Sequence, residues 1–372
     1  MKSSHDKNIA IIIPGGIGTG KNNIGVPVLE QLVKRLSVNY SITVFSLFKV
    51  NEGYEAAGFE LVSIASKNIL VKTFKFFFVF SKHHQKKRFK IVHGFWSLPS
   101  GFFAVLAGKL FSCKSVVSVL GGDAASLPEI NYGALRRWLP KKIIFRTLTQ
   151  ADEVIVLTQF LRDNLRRHGF TRDVKIIPWG IDIGIFSYRD KQLSNPIQFL
   201  HVANLSRVKD QTTLLKAFHL IQKQKPSHLK IIGEGAMIEA VKKLASDLGI
   251  ESSVTFLEPV PYLKVVEHYH EADVLLHTSL SEGQSEVVTE AMSCGVLVGG
   301  TSVGLIYDCP ECCVSAPIGQ YEALAGAVLA ALNDREGIIE IKTKAKLWVQ
   351  THSIGWTSEK IAEVYEQFRL TE

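Results

Sequence analysis

Three hundred and seventy-two residues, 46% of them hydrophobic, exceed what one minimal core needs and favour two domains or one large α/β unit. Disorder, a collagen-like repeat and a disulfide-stapled miniprotein are excluded. The net charge of +8 is unevenly spread: residues 1–190 carry 27 Lys and Arg against 13 Asp and Glu, and 191–372 carry 16 against 22.

In chain order, Asn8 to Ile13 (NIAIII) is a continuous apolar run that ends in Pro14-Gly15-Gly16 and precedes a helical pattern from about Ile24 to Leu36. This predicts a buried parallel strand, a glycine turn and a helix. The same grammar recurs in SITVFSLF (41–48), in KIVHGFW (90–96) before SGFFAVLAGKLF, in SVVSVL (115–120) before GGD, and in EVIVL (153–157) before QFLRDNLRRHG. Asn68 to Phe80 is apolar but interrupted by Lys72 and Lys75, and it falls short of the roughly 20 residues that span a bilayer. Around Val174 to Phe186 the pattern becomes Pro- and Gly-punctuated, and Tyr188 to Asn195 is polar and reads as a linker.

A second series follows: IQFLHVANL (197–205), HLKIIGEG (228–235), VTFLEPV (254–260), DVLLHTS (273–279), a helix from Ser285 to Cys294, VLVGG (296–300), and helices near 320–333 and 336–349. Strands alternating with helices predict two Rossmann-like, doubly wound parallel-sheet α/β domains in tandem, over 1–187 and 196–352. The final segment, 353–372, predicts a helix bearing Trp356, Ile361, Val364, Tyr365 and Phe368. No strand follows it, so it is expected to pack back on the first domain.

Three motifs admit more than one chemistry. Gly15 to Asn22 (GGIGTGKN) nearly spells a P-loop after a strand, but Asn22 stands where a hydroxyl would hold magnesium. The readings are a glycine turn whose amides approach a phosphate, a tight turn without a ligand, and a nucleotide hydrolase using Gly15 to Lys21. Cys309 to Cys313 (CPECC) contains one C-x-x-C, whereas a structural zinc needs four ligands; incidental loop cysteines are expected, with no metal or cofactor. Five cysteines and no secretory-type leader fit a reducing cytoplasm. Basic residues interleave with aromatics at Lys82 to Lys90 and Arg136 to Arg146, which suits either an anionic membrane or a solvated basic face. No nucleic-acid module accompanies the charge, and no nucleic-acid partner is expected.

The sharpest signal is Ser281 to Met292 (SEGQSEVVTEAM), with Glu282 and Glu290 eight positions apart across a loop-to-helix junction. Carboxylates at the carboxyl end of a strand accept hydrogen bonds from sugar hydroxyls, and the helix start can hold a diphosphate. Taken alone they could equally be solvated acids. Together with HGFWSLPSG (93–101), LGGD (120–123), QADEVIVLTQ (150–159), IIPWGIDIGIF (176–186), VANLSRVKDQTTLLKAF (202–218), KIIGEGAMIEAVKKLASDLGI (230–250), SVTFLEPV (253–260) and EADVLLHTSLSEG (271–283), the stretch resembles the E-x7-E signature of retaining, nucleotide-sugar-dependent glycosyltransferases of the GT-B fold, family 4 type.

The resemblance implies a donor site in the second domain and an acceptor site in the first, across a cleft. By it, Glu290 binds the nucleotide ribose, Glu282 contacts the donor sugar near the reacting carbon, and Lys209 neutralises the diphosphate. The amides of Gln284, Ser285, Glu286 and Val287 cradle donor groups, and backbone contacts near Val260 take part in donor recognition. The family arginine that partners the lysine is replaced by Asn204, with Arg207 as the substitute cation. Gly15 and Gly16 form the loop beneath the diphosphate. His93 matches a histidine near the donor sugar, with a buried structural histidine as the alternative. Asp123 is placed on the acceptor side, or else caps a helix. No D-x-D triplet is present, so a metal-independent transfer is implied, to a saccharide or lipid-linked saccharide at the inner face of the cell membrane. A catalytically silent membrane-surface protein is the remaining alternative.

Overall fold

The structure is a computed structural model that describes residues 7–19 and 25–370. Two compact units emerge. The first holds the chain through Leu157, Leu161–Trp179 and the segment from Ile354; the second holds Thr158–Phe160 and Gly180–Ser353.

In the first unit the strands are β1 (Asn8–Ile13), β2 (Ser41–Ser46), β3 (Glu60–Ser63), β4 (Ile91–Phe95), β5 (Lys114–Val119), β6 (Glu153–Val156) and β7 (Lys175–Ile176). They form one parallel sheet in the order β3-β2-β1-β4-β5-β6-β7. All six residues of β1 are buried, as a strand covered on both faces requires. Its helices are α1 (Pro27–Leu36), α2 (Ile69–Lys87), α3 (Phe102–Phe111), α4 (Trp138–Gln150) and α5 (Gln159–Arg167).

The second unit repeats the design with β8 (Ile197–Val202), β9 (Ser227–Ile232), β10 (Val254–Leu257), β11 (Val274–His277), β12 (Leu297–Thr301) and β13 (Val314–Ala316), ordered β10-β9-β8-β11-β12-β13 and parallel throughout. Around it lie α6 (Gln211–Gln222), α7 (Ile238–Asp247), α8 (Val265–Glu271), α9 (Glu286–Ser293), α10 (Gly304–Asp308), α11 (Tyr321–Asn333) and α12 (Arg335–Thr351). Both sheets reverse strand order once, between β1 and β4 and between β8 and β11. Such a reversal opens a crevice at the carboxyl ends of the two strands, where α/β folds take ligands.

One close approach shapes that crevice in the second unit. A Cβ on Gly233 would lie 1.9 Å from the Ala203 carbonyl oxygen, and one on Gly235 2.3 Å from that of Leu205. The glycines of IIGEG therefore let the loop after β9 press against the loop after β8, where Leu205 N–H donates to Glu234 O at 2.9 Å.

The final helix, α13 (Ile354–Leu370), packs against α1 within the first unit. Ile361, Val364 and Tyr365 are buried there, and the Tyr40 hydroxyl donates to Glu366 Oε1 at 2.9 Å. The expected return of this helix to the first domain is thus found. Among the described residues, no helix is long and apolar enough to cross a membrane.

Candidate active site

The loops after β8 and β11 are laced together. Leu280 N–H donates to Val208 O at 2.8 Å, and the Thr278 hydroxyl donates to Lys209 O and Asp210 O at 3.1 and 3.0 Å. This brings Lys209, in the turn Arg207–Lys209, onto Glu282: Nζ lies 2.6 Å from Oε1. The same oxygen accepts from the Ser279 hydroxyl at 2.5 Å and lies 3.2 Å from Nε2 of the buried His277. Burial alone would raise the Glu282 carboxyl, but Lys209 and His277 outweigh it and hold the group well below the usual carboxylate range. Glu282 is therefore an anion at neutral pH, with the Lys209 ammonium beside it. His201, behind the pair, is buried, contacts Leu276 O through Nδ1 at 2.9 Å, and is pushed by burial down to about 4.

From Glu282 the chain turns through Gly283 and the nearly buried Gln284, whose Nε2 donates to Thr289 Oγ1 at 3.2 Å. The Gln284 carbonyl accepts from Leu305 N–H at 2.8 Å, so α10 props the loop. Ser285 adopts a left-handed backbone (φ 83°), and its buried hydroxyl has no partner among the described residues. Glu286 and Val287, half-buried, open α9, whose first amides point along the helix start. Burial pushes Glu286 up to about 7, against the pull of Lys209. One turn on, Glu290 is buried and accepts from the Tyr269 hydroxyl through Oε2 at 2.7 Å. Burial pushes its carboxyl up to about 8 although that hydrogen bond opposes the rise. Asn204 and Arg207 are exposed in the loop after β8, and Val260 is half-buried in the loop after β10.

First-unit candidates occupy a different kind of environment. Gly16 N–H donates to Thr19 Oγ1 at 2.8 Å, and Gly16 O accepts from Val26 N–H at 2.7 Å, closing the glycine turn on itself. A Cβ on Gly15 would meet the Phe48 ring at 2.9 Å. Gly20, Lys21 and Asn22 of the P-loop-like motif lie outside the described residues. His93 has no exposed surface: Nδ1 lies 2.7 Å from the Tyr365 hydroxyl and Nε2 2.8 Å from Ser118 Oγ, and burial pushes the ring down to about 3. Asp123 caps no helix. Its Oδ2 accepts from Ser97 N–H and Oγ, both at 2.8 Å, and Oδ1 from Gly121 N–H at 2.9 Å and Leu120 N–H at 3.2 Å, which ties the loops after β4 and β5 together.

Sequence reasoning passed over His277, Ser279 and Tyr269. The first two end the apolar run DVLLHTS, where a histidine closing a buried strand is itself a signal; Tyr269 sits on α8, a helix of seven residues with little periodicity to read. Cys309, Glu311 and Cys312 gather within 4.8 Å of one another, and all five cysteines are free thiols.

Known proteins follow the same outline. Residues 27–184 match the model for Glycosyltransferase Family 4, and residues 186–336 that for Glycosyl transferases group 1. The D-inositol 3-phosphate glycosyltransferase of Paenarthrobacter aurescens (strain TC1) is 26% identical over 177 residues, which are 44% of this chain and 41% of that protein. The phosphatidylinositol N-acetylglucosaminyltransferase GPI3 subunit of Saccharomyces cerevisiae (strain YJM789) is 27% identical over 180 residues, 45% of this chain and 39% of that one. The chain thus spans about two fifths of the length of these curated relatives. Sucrose-phosphate synthase from Thermosynechococcus elongatus shares the fold with a TM-score of 0.82 at 19% identity, covering 98% of this chain and 100% of that one. Anabaena HepE, solved with UDP and glucose, does so with a TM-score of 0.75 at 18% identity, covering 97% and 99%. With two family models following one another along the sequence and two switch-point sheets beneath them, the chain belongs to the group 1, family 4 glycosyltransferases, of GT-B fold and retaining type by family.

Proposed function

We propose that this protein moves a sugar from a nucleoside-diphosphate sugar to a saccharide or lipid-linked saccharide, with retention of configuration. The observation that carries the reading is the Lys209–Glu282 pair at the second unit's switch point, with Glu282 eight positions before the buried Glu290. Leaving of the nucleoside diphosphate builds negative charge on phosphate oxygens, and groups that bind this charge more tightly in the transition state accelerate departure. Lys209 exchanges the Glu282 carboxylate for the diphosphate, Arg207 adds the second cation in place of Asn204, and the amides from Gln284 to Val287 complete the cradle. Released from Lys209, the Glu282 anion faces the donor sugar, while Glu290 receives the ribose hydroxyls and the backbone near Val260 contacts the donor.

His93 and Asp123 act as positioning residues, since every polar atom of either that could face a substrate is engaged by the protein. Synthesis of a cell-surface polysaccharide or glycolipid at the inner face of the cell membrane is the setting that fits the basic first half. HepE is solved with UDP and glucose, so UDP-sugars head the donors to test. A thermal-shift screen against UDP-, GDP-, ADP- and TDP-sugars should single out one nucleotide by its stabilisation of the folded chain. No stabilisation by any of them, together with magnesium-dependent ATP or GTP hydrolysis lost in Lys21→Ala, would transfer the assignment to a nucleotide hydrolase. Vesicle binding with neither activity would leave a silent membrane-surface protein.

A further inference from the structure

Helix α2 is apolar on two opposite faces. Its inward face ends in Phe76 and Phe80, both fully buried in an aromatic cluster with Phe45, Phe89 and Phe103; Phe76 stacks on Phe103 with centroids 5.0 Å apart. The core therefore needs nothing more from this helix, and a surface helix ordinarily turns charged and polar residues outward. Here the outward positions i, i+1, i+4 and i+8 are Leu70, Val71, Phe74 and Phe78, which are 67, 53, 79 and 62% exposed. Lys75 and Lys82 flank that stripe, and Lys82 Nζ lies 4.3 Å from the Phe78 ring centroid. No Asp or Glu occurs between Glu60 and Asp123, an interval that holds ten Lys and Arg. The ionisable side chains of α2 itself are accordingly lysines and histidines, with no acid among them.

We propose that the outward face of α2 is a membrane anchor that lies in the headgroup boundary of an anionic bilayer. Leu70, Val71, Phe74 and Phe78 enter the apolar layer, while Lys75 and Lys82 meet lipid phosphates. Charge complementarity selects this occupant over a protein groove, because an exposed apolar stripe flanked by Lys75 and Lys82, on a helix without an acid of its own, matches a surface that is apolar below and anionic above. The inference rests on the membrane-side setting proposed above and supplies the surface for it. Of the basic run Lys82 to Lys90 it uses the first residue, whereas Lys87 is committed to Glu60 at 2.6 Å and to Thr43 Oγ1 at 2.8 Å.

The test is sedimentation of the full chain with phosphatidylcholine vesicles, with and without phosphatidylglycerol, in the absence of donor and acceptor. Wild type should bind the anionic vesicles, more weakly as salt rises. The double variant Phe74→Ser/Phe78→Ser should bind at least tenfold more weakly with an unchanged melting temperature, since both rings are already exposed. In a Phe74→Trp variant, the emission that exceeds the wild-type signal should shift to the blue on vesicle addition. Undiminished binding by the Ser double variant, or an unshifted Phe74→Trp emission, would overturn the proposal. So would self-association in sedimentation velocity that disappears in the Ser double variant, which would give the face to a second copy of the chain. Nucleotide binding without vesicles is measured separately, so loss of the donor-site reading and loss of the anchor are distinguishable.

Discussion

Replacing Glu290 by Gln should make the protein more stable and less able to bind its donor, in a pH-dependent way. The carboxyl titrates at about 8 in the folded chain against an ordinary 4.5. The folded state thus holds the proton more tightly than the unfolded one. Stability from this group is complete below pH 4.5 and is lost as pH rises through 8, to a ceiling of about 5 kcal/mol. Relaxation of the site and entry of water reduce this to about 3 kcal/mol, which for a unit of this size corresponds to roughly 6–12 °C in melting temperature. Glutamine keeps an oxygen for the Tyr269 hydroxyl and removes the titration. Melting curves of the two proteins should therefore nearly coincide at pH 5 and separate progressively towards pH 9, with Glu290→Gln the more stable. Glu286 is present in both, so most of its own titration drops out of the difference. Donor affinity should fall at least tenfold in the variant at pH 9, where Glu290 is ionised and a charged acceptor becomes a neutral one, and by less at pH 6, where the carboxyl is already neutral. A melting-temperature difference that does not change with pH would refute the reasoning, because it would mean that the buried carboxyl does not titrate in this range.

Other consequences follow from single contacts. Gly233→Ala places a Cβ against the Ala203 carbonyl oxygen and should destabilise the second unit by more than about 2 kcal/mol; an unmoved urea midpoint would contradict the close approach. Tyr365→Phe removes the hydroxyl at Nδ1 of His93 and should cost about 1–2 kcal/mol, visible as faster hydrogen exchange in α13, with nucleotide affinity unchanged. Asp123→Ala orphans four donors in the loops after β4 and β5 and should cost about 3 kcal/mol or more in chemical denaturation, again without altering nucleotide binding in the second unit.

The parallel sheets were legible because a strand buried on both faces reads as a nearly continuous apolar run, as residues 9–13 (IAIII) and 274–276 (VLL) do. The E-x7-E junction was legible because its spacing is local. What escaped were relations between segments far apart in sequence. That Tyr365 would lock His93, 272 positions away, could not be seen from HGF, and the latch from Asp123 to Ser97 depends on how two loops meet. Helix α2 hid for a different reason: apolar residues on both faces erase the amphipathic period that marks a surface helix, and the same erasure exposes its outward stripe.

The central claim is that Lys209 serves the donor's diphosphate while Glu282 serves its sugar. Calorimetric titration of the donor chosen by the nucleotide screen into wild type, Lys209→Met and Glu282→Gln, with folding checked by circular dichroism, tests it directly. Lys209→Met should weaken both the nucleoside diphosphate and its sugar conjugate by at least tenfold, about 1.4 kcal/mol, whereas Glu282→Gln should spare the bare nucleoside diphosphate and weaken only the conjugate. Equal affinities for the bare nucleotide in wild type and Lys209→Met would contradict the account.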